Sequence, residues 1–527
     1  MRNILKKVNR WLLIITVFLV GALIWLCFPP QWEPSKHKIQ WSKAAHCKIH
    51  IDQWSVSHIQ ANDDLIGFYC WGYLQAKDRA WQMDLLRRTG LGRMAEVYGM
   101  RYIKQDFFFR LLDFKAIAKR WQKRIQSESP HTHQKLAAFA LGIQRAFDQI
   151  NQQSRSQKPY ALQQAPQLRP WRPLDSLMIL ILQSFHQTRR SFITDLRHAH
   201  LRMRFDKSAY QYMYRKAKAR NSYHTSIIKP GEHTLVPTHP TSKPRPGTAP
   251  TQPTSKPRPG TAPTQSTTTP TQTIQPDPLE PFSSFPYLQD LEGLGEGSNS
   301  WVVAPKRTQN GFALLANDPH LHARIPSFWH EIHIQTPKRN AMGVAIPGVP
   351  FMPMGHNEHV AWGVTNGFTN VADLIPVSLR SGKAVLHPKK TINTTKISPK
   401  VHVKIGPFFL PIFWQSFQTT KQGPILPIVW EKKQRLLLRW STYHSQYPPI
   451  VPLIGLLSAK HANAYNTTLA RVELPCFNIV FADVYGNIGY RQTGLIPKRK
   501  KGQHGLLQPQ HKEQTWQGFL SPKQQPQ

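Results

Sequence analysis

The sequence predicts a mixed α and β protein, with helices in its first half, strands in its second, and one membrane-length helix at the start. Three observations carry this. Apolar residues recur at mixed three- and four-residue spacings in 31–225, the pattern of buried helical stripes. Short apolar-rich runs crowd the region after residue 300 and read as strands. Between them lies a Pro/Thr/Gln stretch with almost nothing to bury.

Composition bounds the alternatives. The chain has 527 residues, 40% hydrophobic and 18% charged, which supplies enough apolar surface for a core and excludes a mainly disordered chain. Only one long apolar run exists, which excludes a polytopic membrane protein. Four cysteines in this length exclude a disulfide-stapled miniprotein, and no CxxC writes a zinc ribbon. Lys and Arg number 68 against 28 Asp and Glu, a formal charge of +40. The charge is spread over both folded segments, densest at Lys498–Lys501, and no nucleic-acid-binding signature accompanies it. A nucleic-acid partner is not expected; attraction to anionic lipid or envelope polymer is a by-product of such charge.

The elements follow in order. In residues 1–30, Trp11 to Phe28 form an apolar run of 18 behind Arg2, Lys6, Lys7 and Arg10. At about 1.5 Å per residue, a helix of that length just spans a hydrocarbon core. The basic flank should stay cytoplasmic and send the body into the periplasm or outside the cell. A cleaved signal peptide is the rival reading; no small-x-small site follows the run, so an uncleaved membrane anchor is expected. That compartment permits disulfides. Cys47 and Cys70 could pair and leave Cys476 free, or all three could be small buried apolar residues.

Residues 31–225 read as mainly helical. Asp63 and Asp64 are N-cap types ahead of the stripe Leu74, Trp81, Leu85, Leu86, Met94 and Val97. Arg87, Arg88 and Arg93 lie near Asp78, Asp84 and Glu96, the spacing of local ion pairs worth little each if exposed. A second helical run covers Leu174–Leu201. Residues 226–297 read as a solvated spacer, in which PTSKPRPGTAPTQ at 240–252 is repeated verbatim at 253–265. Two copies are too few for a solenoid, so an inert tether is expected. Residues 298–527 hold the strand-like runs Trp301–Ala304, Phe312–Ala316, His330–Ile334 and Ala341–Ile346.

Seven stretches carry a resemblance. Gly72–Gly99 reads GYLQAKDRAWQMDLLRRTGLGRMAEVYG, and His58–Ala61 precedes it as HIQA. Further on come GSNSWVV from Gly297, NDPHL at Asn317–Leu321, PSFWHEIHI at Pro326–Ile334, PGVPFMPMGHNEHVAWGVTN at Pro347–Asn366 and FADVYGNIGYRQTGLIPKR at Phe481–Arg499. Together these resemble the penicillin acylase family of N-terminal-nucleophile amidohydrolases, which includes acyl-homoserine-lactone and cephalosporin acylases. Lys77 departs from the family's usual Gln. No GxSxG elbow is present, so an α/β-hydrolase serine is unsupported.

The resemblance implies a four-layer αββα fold and a zymogen that cuts itself at Gly297–Ser298. The α-chain and β-chain would stay associated, and the product would hydrolyse an N-acyl amide, such as a β-lactam side chain or an N-acyl-homoserine lactone. Ser298 would be the nucleophile. Its freed α-amine, of ordinary pKa about 7.7–8.0, would be the general base. Backbone N–H groups of His320 and Asn366 would form the oxyanion hole. In the cephalosporin acylase-like branch, the side chain at the position of His320 contacts the nucleophile. Leu321, Met354 and Phe477 would line the acyl pocket.

No cofactor is required by this chemistry, and calcium is the family's structural ion. Asp373 matches one ligand position and Asp195 the α-chain ligand, but Asn370 and Lys498 stand where the family has carboxylates, which weakens the donor set. His320, His322, His330 and His333 do not make an HExxH site, and on a strand His330 and His333 fall on opposite faces. Family β-chains continue past the position of Gln527, through an Asn that completes the oxyanion hole and an Arg near the active site. The alternative expectation is therefore a truncated, inactive, membrane-anchored remnant that only binds.

Overall fold

Asp63 opens the first long helix. Its carboxylate accepts from the N–H groups of Leu65 (2.8 Å) and Ile66 (3.2 Å), satisfying donors that the helix leaves unpaired. The structure, a computed structural model of the chain, describes residues 44–163, 167–204, 294–321, 323–387, 390–413, 416–430, 434–499 and 516–527, with scattered positions from 11 to 39 and residue 208. The main unit combines 1–200 with 278–527. A second unit, 201–277, contains the tandem repeat, which lies outside the described residues. Among the described residues, no helix is long and apolar enough to cross a membrane. The run Trp11–Phe28 falls partly outside them.

The long helices are α1 (Asp64–Leu91), α2 (Ile103–Leu112), α3 (Phe114–Glu128), α4 (Pro130–Gln152) and α5 (Pro173–Arg204), with α6 (Ile450–Leu456) and α7 (Ala462–Leu469) later in the chain. The strands begin with β1 (Cys47–Ile51), β2 (Ser57–Ala61), β3 (Leu294–Val303), β4 (Leu314–Leu321), β5 (His330–Thr336), β6 (Arg339–Ala345), β7 (Met354–Asn357) and β8 (Val360–Asn366). There follow β9 (Ala372–Arg380), β10 (Lys383–His387), β11 (Lys390–Asn393), β12 (Thr395–Ile397), β13 (Lys400–Ile405), β14 (Phe408–Phe413), β15 (Phe417–Thr420), β16 (Gly423–Trp430) and β17 (Gln434–Trp440). The last two are β18 (Phe477–Asp483) and β19 (Ile488–Gln492).

The protein is mixed α and β, as expected, but its two halves share one sheet. The eight-stranded sheet runs β1-β2-β5-β6-β7-β8-β18-β19. Its first two strands come from the segment read as helical, and β2 pairs parallel with β5, setting His58 beside His333. The predicted spacer also ends early: Leu294–Gly297 already belongs to β3, where Leu294 opposes Leu321. The described residues also form a seven-stranded sheet, β11-β10-β9-β17-β16-β15-β12, and the β13–β14 pair, besides β3 and β4.

Alternation along β5 explains the layering. His330, Ile332, Ile334 and Thr336 are buried on one face, while Glu331, His333 and Gln335 lie on the other. Helix α1 packs on the buried face and crosses α4 at close range. A Cβ on Gly72 would run into the Phe139 carbonyl, and one on Gly142 into that of Tyr69. The first glycine of the Gly72–Gly99 segment is thus required by a backbone-to-backbone helix crossing. Cys47 and Cys70 form a disulfide that ties β1 to α1. Cys476 is free and buried, and burial pushes its thiol up to about 12, so it stays unreactive.

Arg87, Arg88 and Arg93 make the local ion pairs that their spacing suggests, and the first two make them buried rather than exposed. Arg87 and Arg88 are 0% and 1% exposed. Both bind Asp84, at 2.7 and 2.6 Å. Arg87 also donates to the carbonyls of Pro170 (2.9 Å) and Arg169 (2.8 Å), while Arg88 lies 3.5 Å from Glu96. Burial alone would push the Asp84 carboxyl up; Arg88 and Arg87 overcome that and hold it below its ordinary value.

Candidate active site

β3 and β4 form an antiparallel hairpin in which Ser298 opposes Pro319, Asn299 opposes Asp318 and Ser300 opposes Asn317. The hairpin lies on the face of the eight-stranded sheet opposite α1, and one side chain fastens it there. The Asn317 amide donates to Val364 O (3.0 Å) and accepts from Val364 N–H (2.8 Å), pairing with β8 as another strand would. Its Nδ2 also donates to Asn299 O at 3.0 Å. Close seating depends on Gly363: a Cβ there would stand 2.8 Å from Asn317 Cβ and 2.9 Å from Ser300 Oγ. Neither Asn317 nor Gly363 was singled out from the sequence. The available signals were a glycine inside a strand-like run and an asparagine inside NDPHL.

Strand alternation then sorts the predicted site. Ser298 shares the sheet-facing side of β3 with Ser300, and it is half-buried. Gly297 lies where the β3–β4 register shifts, between Leu294 and Ser298, and a Cβ on it would lie 3.7 Å from His320 Nδ1. The other ring nitrogen of His320, Nε2, is 3.1 Å from Asp318 Oδ2. The imidazole is therefore held by one nitrogen and presents the other to Gly297, the residue on the acyl side of the expected cut. Asp318, like Asn317 and Gly363, carries no role that its sequence pattern alone assigns.

Asn366 ends β8 opposite Phe477, and its carbonyl accepts from Asn478 Nδ2 at 3.3 Å. Its N–H leaves β8 toward the same edge as that of Val364, two residues before it. Met354 is half-buried and in line with Gly363, on the hairpin side of the sheet; Leu321 is half-buried at the end of β4. Phe477 departs from the expected pocket. It shares parity with Ile479 and Phe481, and its row contains Val364 and Trp362, which stacks on Tyr465 of α7. It faces away from the hairpin because strand side chains alternate. Of the three pocket residues, only Leu321 and Met354 lie on the hairpin's side.

The histidines do not make a metal pair. His330 is buried beside Asp78 (3.5 Å), and burial pushes its imidazole down to about 4. His333, on the other face, meets His58 (3.0 Å) and Asn340 (2.7 Å). At the position matching a family calcium ligand, where the replaced carboxylates already make calcium doubtful, Asp373 is bound by a guanidinium, that of Arg499, at 2.9 Å. Asp195 lies on α5, and its side chain is outside the described residues.

Gly363→Val is expected to unseat the hairpin and spare the helices. The added carbons meet atoms fixed close to the backbone, and overpacking of this kind costs about 1–3 kcal/mol. Limited proteolysis should cut within 304–313 much faster than in the parent, while far-ultraviolet circular dichroism keeps its helical signal. Equal cleavage rates would refute the seating.

Comparison with known proteins places the sequence in a class. The Penicillin amidase family model covers residues 46–527, and the chain belongs to that family. It is 24% identical over 549 residues to penicillin G acylase of Escherichia coli, covering 97% of this chain and 60% of that protein. It is 26% identical over 484 residues to the acyl-homoserine lactone acylase QuiP of Pseudomonas aeruginosa, covering 86% of this chain and 50% of the relative. A solved structure, thermostable penicillin G acylase from Alcaligenes faecalis in orthorhombic form, matches at 20% identity with a TM-score of 0.38, covering 43% of this chain and 41% of that one. The chain spans 60% and 50% of the lengths of these two curated relatives.

Proposed function

We propose that this chain is an acylase precursor that cuts itself before Ser298 and then hydrolyses the amide of an N-acyl compound. The observation that carries the reading is the fastened hairpin, which holds Ser298 toward the sheet while His320 flanks Gly297. In the first step, Ser298 Oγ attacks the Gly297 carbonyl carbon, the C–N bond breaks, and the nitrogen takes a proton. The resulting ester is hydrolysed by water, leaving a Gly297 carboxylate and a free Ser298 α-amine. The nitrogen that leaves the peptide becomes the base of the next reaction. It takes the Ser298 hydroxyl proton as Oγ attacks the substrate carbonyl, and it returns the proton to the leaving amine. Water then releases the acid. Backbone N–H groups of His320 and Asn366 are the oxyanion donors in this reading.

The fold proposed is the four-layer αββα arrangement: α1 and α4 supply the first layer, the eight-stranded sheet the second, and β3–β4 the beginning of the third. The two products would remain one particle, because β1 and β2 belong to the same sheet as β5. An extracytoplasmic location is supported by the Cys47–Cys70 disulfide and by the apolar run Trp11–Phe28 behind a basic flank, read as an anchor.

The substrate's acyl group is apolar in this reading, since Leu321 and Met354 offer it no charge partner. Each buried CH₂ adds about 0.8 kcal/mol, so apparent affinity should rise roughly fourfold per carbon until the pocket fills. The test is an N-acyl series from acetyl to dodecanoyl, with phenylacetyl and glutaryl included. A preference for glutaryl, or indifference to length, refutes the pocket. Graded binding without turnover would instead favour a protein that only binds.

A further inference from the structure

We propose that the Arg499 guanidinium is the resident cation of the Asp373–Asn370 site, and that the chain folds and keeps its stability without calcium. Four backbone and side-chain oxygens converge there, as they would on a hard cation. The cation they meet belongs to the protein. Arg499 Nη2 donates to Asp373 Oδ1 at 2.9 Å and Nε to Asp373 Oδ2 at 3.4 Å. Its Nη1 donates to Asn370 O at 2.9 Å, and Nη2 approaches Asn370 Oδ1 at 3.4 Å. This is the two-pronged geometry that suits a planar guanidinium and a carboxylate.

The surroundings confirm the donor set as wrong for a dication. Trp516 Nε1 donates to the same Asp373 carboxylate, using an oxygen lone pair that a metal would need. A second guanidinium, Arg439, stands opposite Asp373 in the β9–β17 register and lies 4.4 Å over the Trp516 ring. One carboxylate thus faces two fixed positive charges, and adding a divalent ion would require one of them to leave. On sequence alone the intruding charge is that of Lys498. That residue instead bridges by backbone to Gly518 and Gln517, at 2.9 Å each, which positions its neighbour Arg499. The arginine thereby ties β9 to the segment around Trp516.

The experiment uses the full chain and reads stability, so it does not depend on hydrolysis. Thermal unfolding is followed in excess EGTA and in excess calcium chloride, for the parent and for Arg499→Met, with metal analysis of the purified parent. Coincident parent curves, no stoichiometric calcium, and a midpoint lowered by several degrees in Arg499→Met are expected. A parent midpoint raised by calcium, or calcium found at one ion per chain, overturns the proposal. So does an unchanged midpoint in Arg499→Met. Should that variant fail to fold, the two parent measurements decide alone.

Discussion

Ser298→Ala should leave the chain in one piece. The parent chain, once folded, is expected to yield a fragment whose N-terminal sequence is SNSWVV. The alanine variant lacks the oxygen that attacks Gly297, and nothing in the hairpin replaces it: Ser300, the next hydroxyl on that face, is committed to Ala316 O at 3.2 Å. Loss of a nucleophile removes rate by many orders of magnitude, on the order of 10⁶ where it has been measured in serine hydrolases. Since the same residue supplies the base, the second activity should vanish as well. Ser298→Cys separates chemistry from packing: a thiol occupies almost the same space and remains a nucleophile, so a fragment beginning CNSWVV should appear. Denaturing gels and N-terminal sequencing read all three. A folded parent chain that stays intact would defeat both the self-cleavage and the catalytic role of Ser298.

Asp84→Ala should be the most destabilising single change in the first half. Removing this carboxylate takes the shared anion away from two guanidiniums that are 0% and 1% exposed and leaves only longer ion pairs, to Asp175 at 3.8 Å and Glu96 at 3.5 Å. Breaking a buried pair in this way costs about 3–5 kcal/mol, against a typical total stability of about 5–15 kcal/mol. The expected result is a large drop in the urea midpoint, or loss of soluble protein. Asp84→Asn, which keeps shape and some hydrogen bonding, should lose less. A midpoint within error of the parent would mean that Arg169 O, Pro170 O and Glu96 hold the arginines without Asp84.

How far the sequence could be read depended on whether a feature is local. The stripe residues Leu74 to Leu86 lie in one helix, so spacing located α1, but Met94 and Val97, read as part of the same stripe, lie beyond its end at the left-handed Gly92. The runs at Trp301, His330 and Ala341 became β3, β5 and β6 for the same reason. By contrast, β1 and β2 are five residues each, and β2 finds its parallel partner 275 positions away, a pairing no local pattern encodes. Arg87 and Arg88 have the spacing of a solvated helix face; Arg87 instead meets Pro170 and Asp175, on a distant segment, and Arg88 meets Glu96. Asn317 reads as an ordinary polar strand residue until Val364 is placed beside it. Phe477 was assigned to the pocket by resemblance, and the register with Val364 and Trp362 turns it the other way.

The shared sheet has a consequence for the protein's history. Before any cut, β2 and β5 find each other along one continuous chain, a search within a single molecule. After a cut ahead of Ser298, the native structure loses none of these contacts, yet the same search becomes an encounter between two molecules. Denaturation and dilution should then be hard to reverse, with recovery depending on the concentration of both pieces. The processed protein would hold a structure that its own fragments reach only slowly, so its endurance would be governed by how rarely it opens rather than by how readily it refolds.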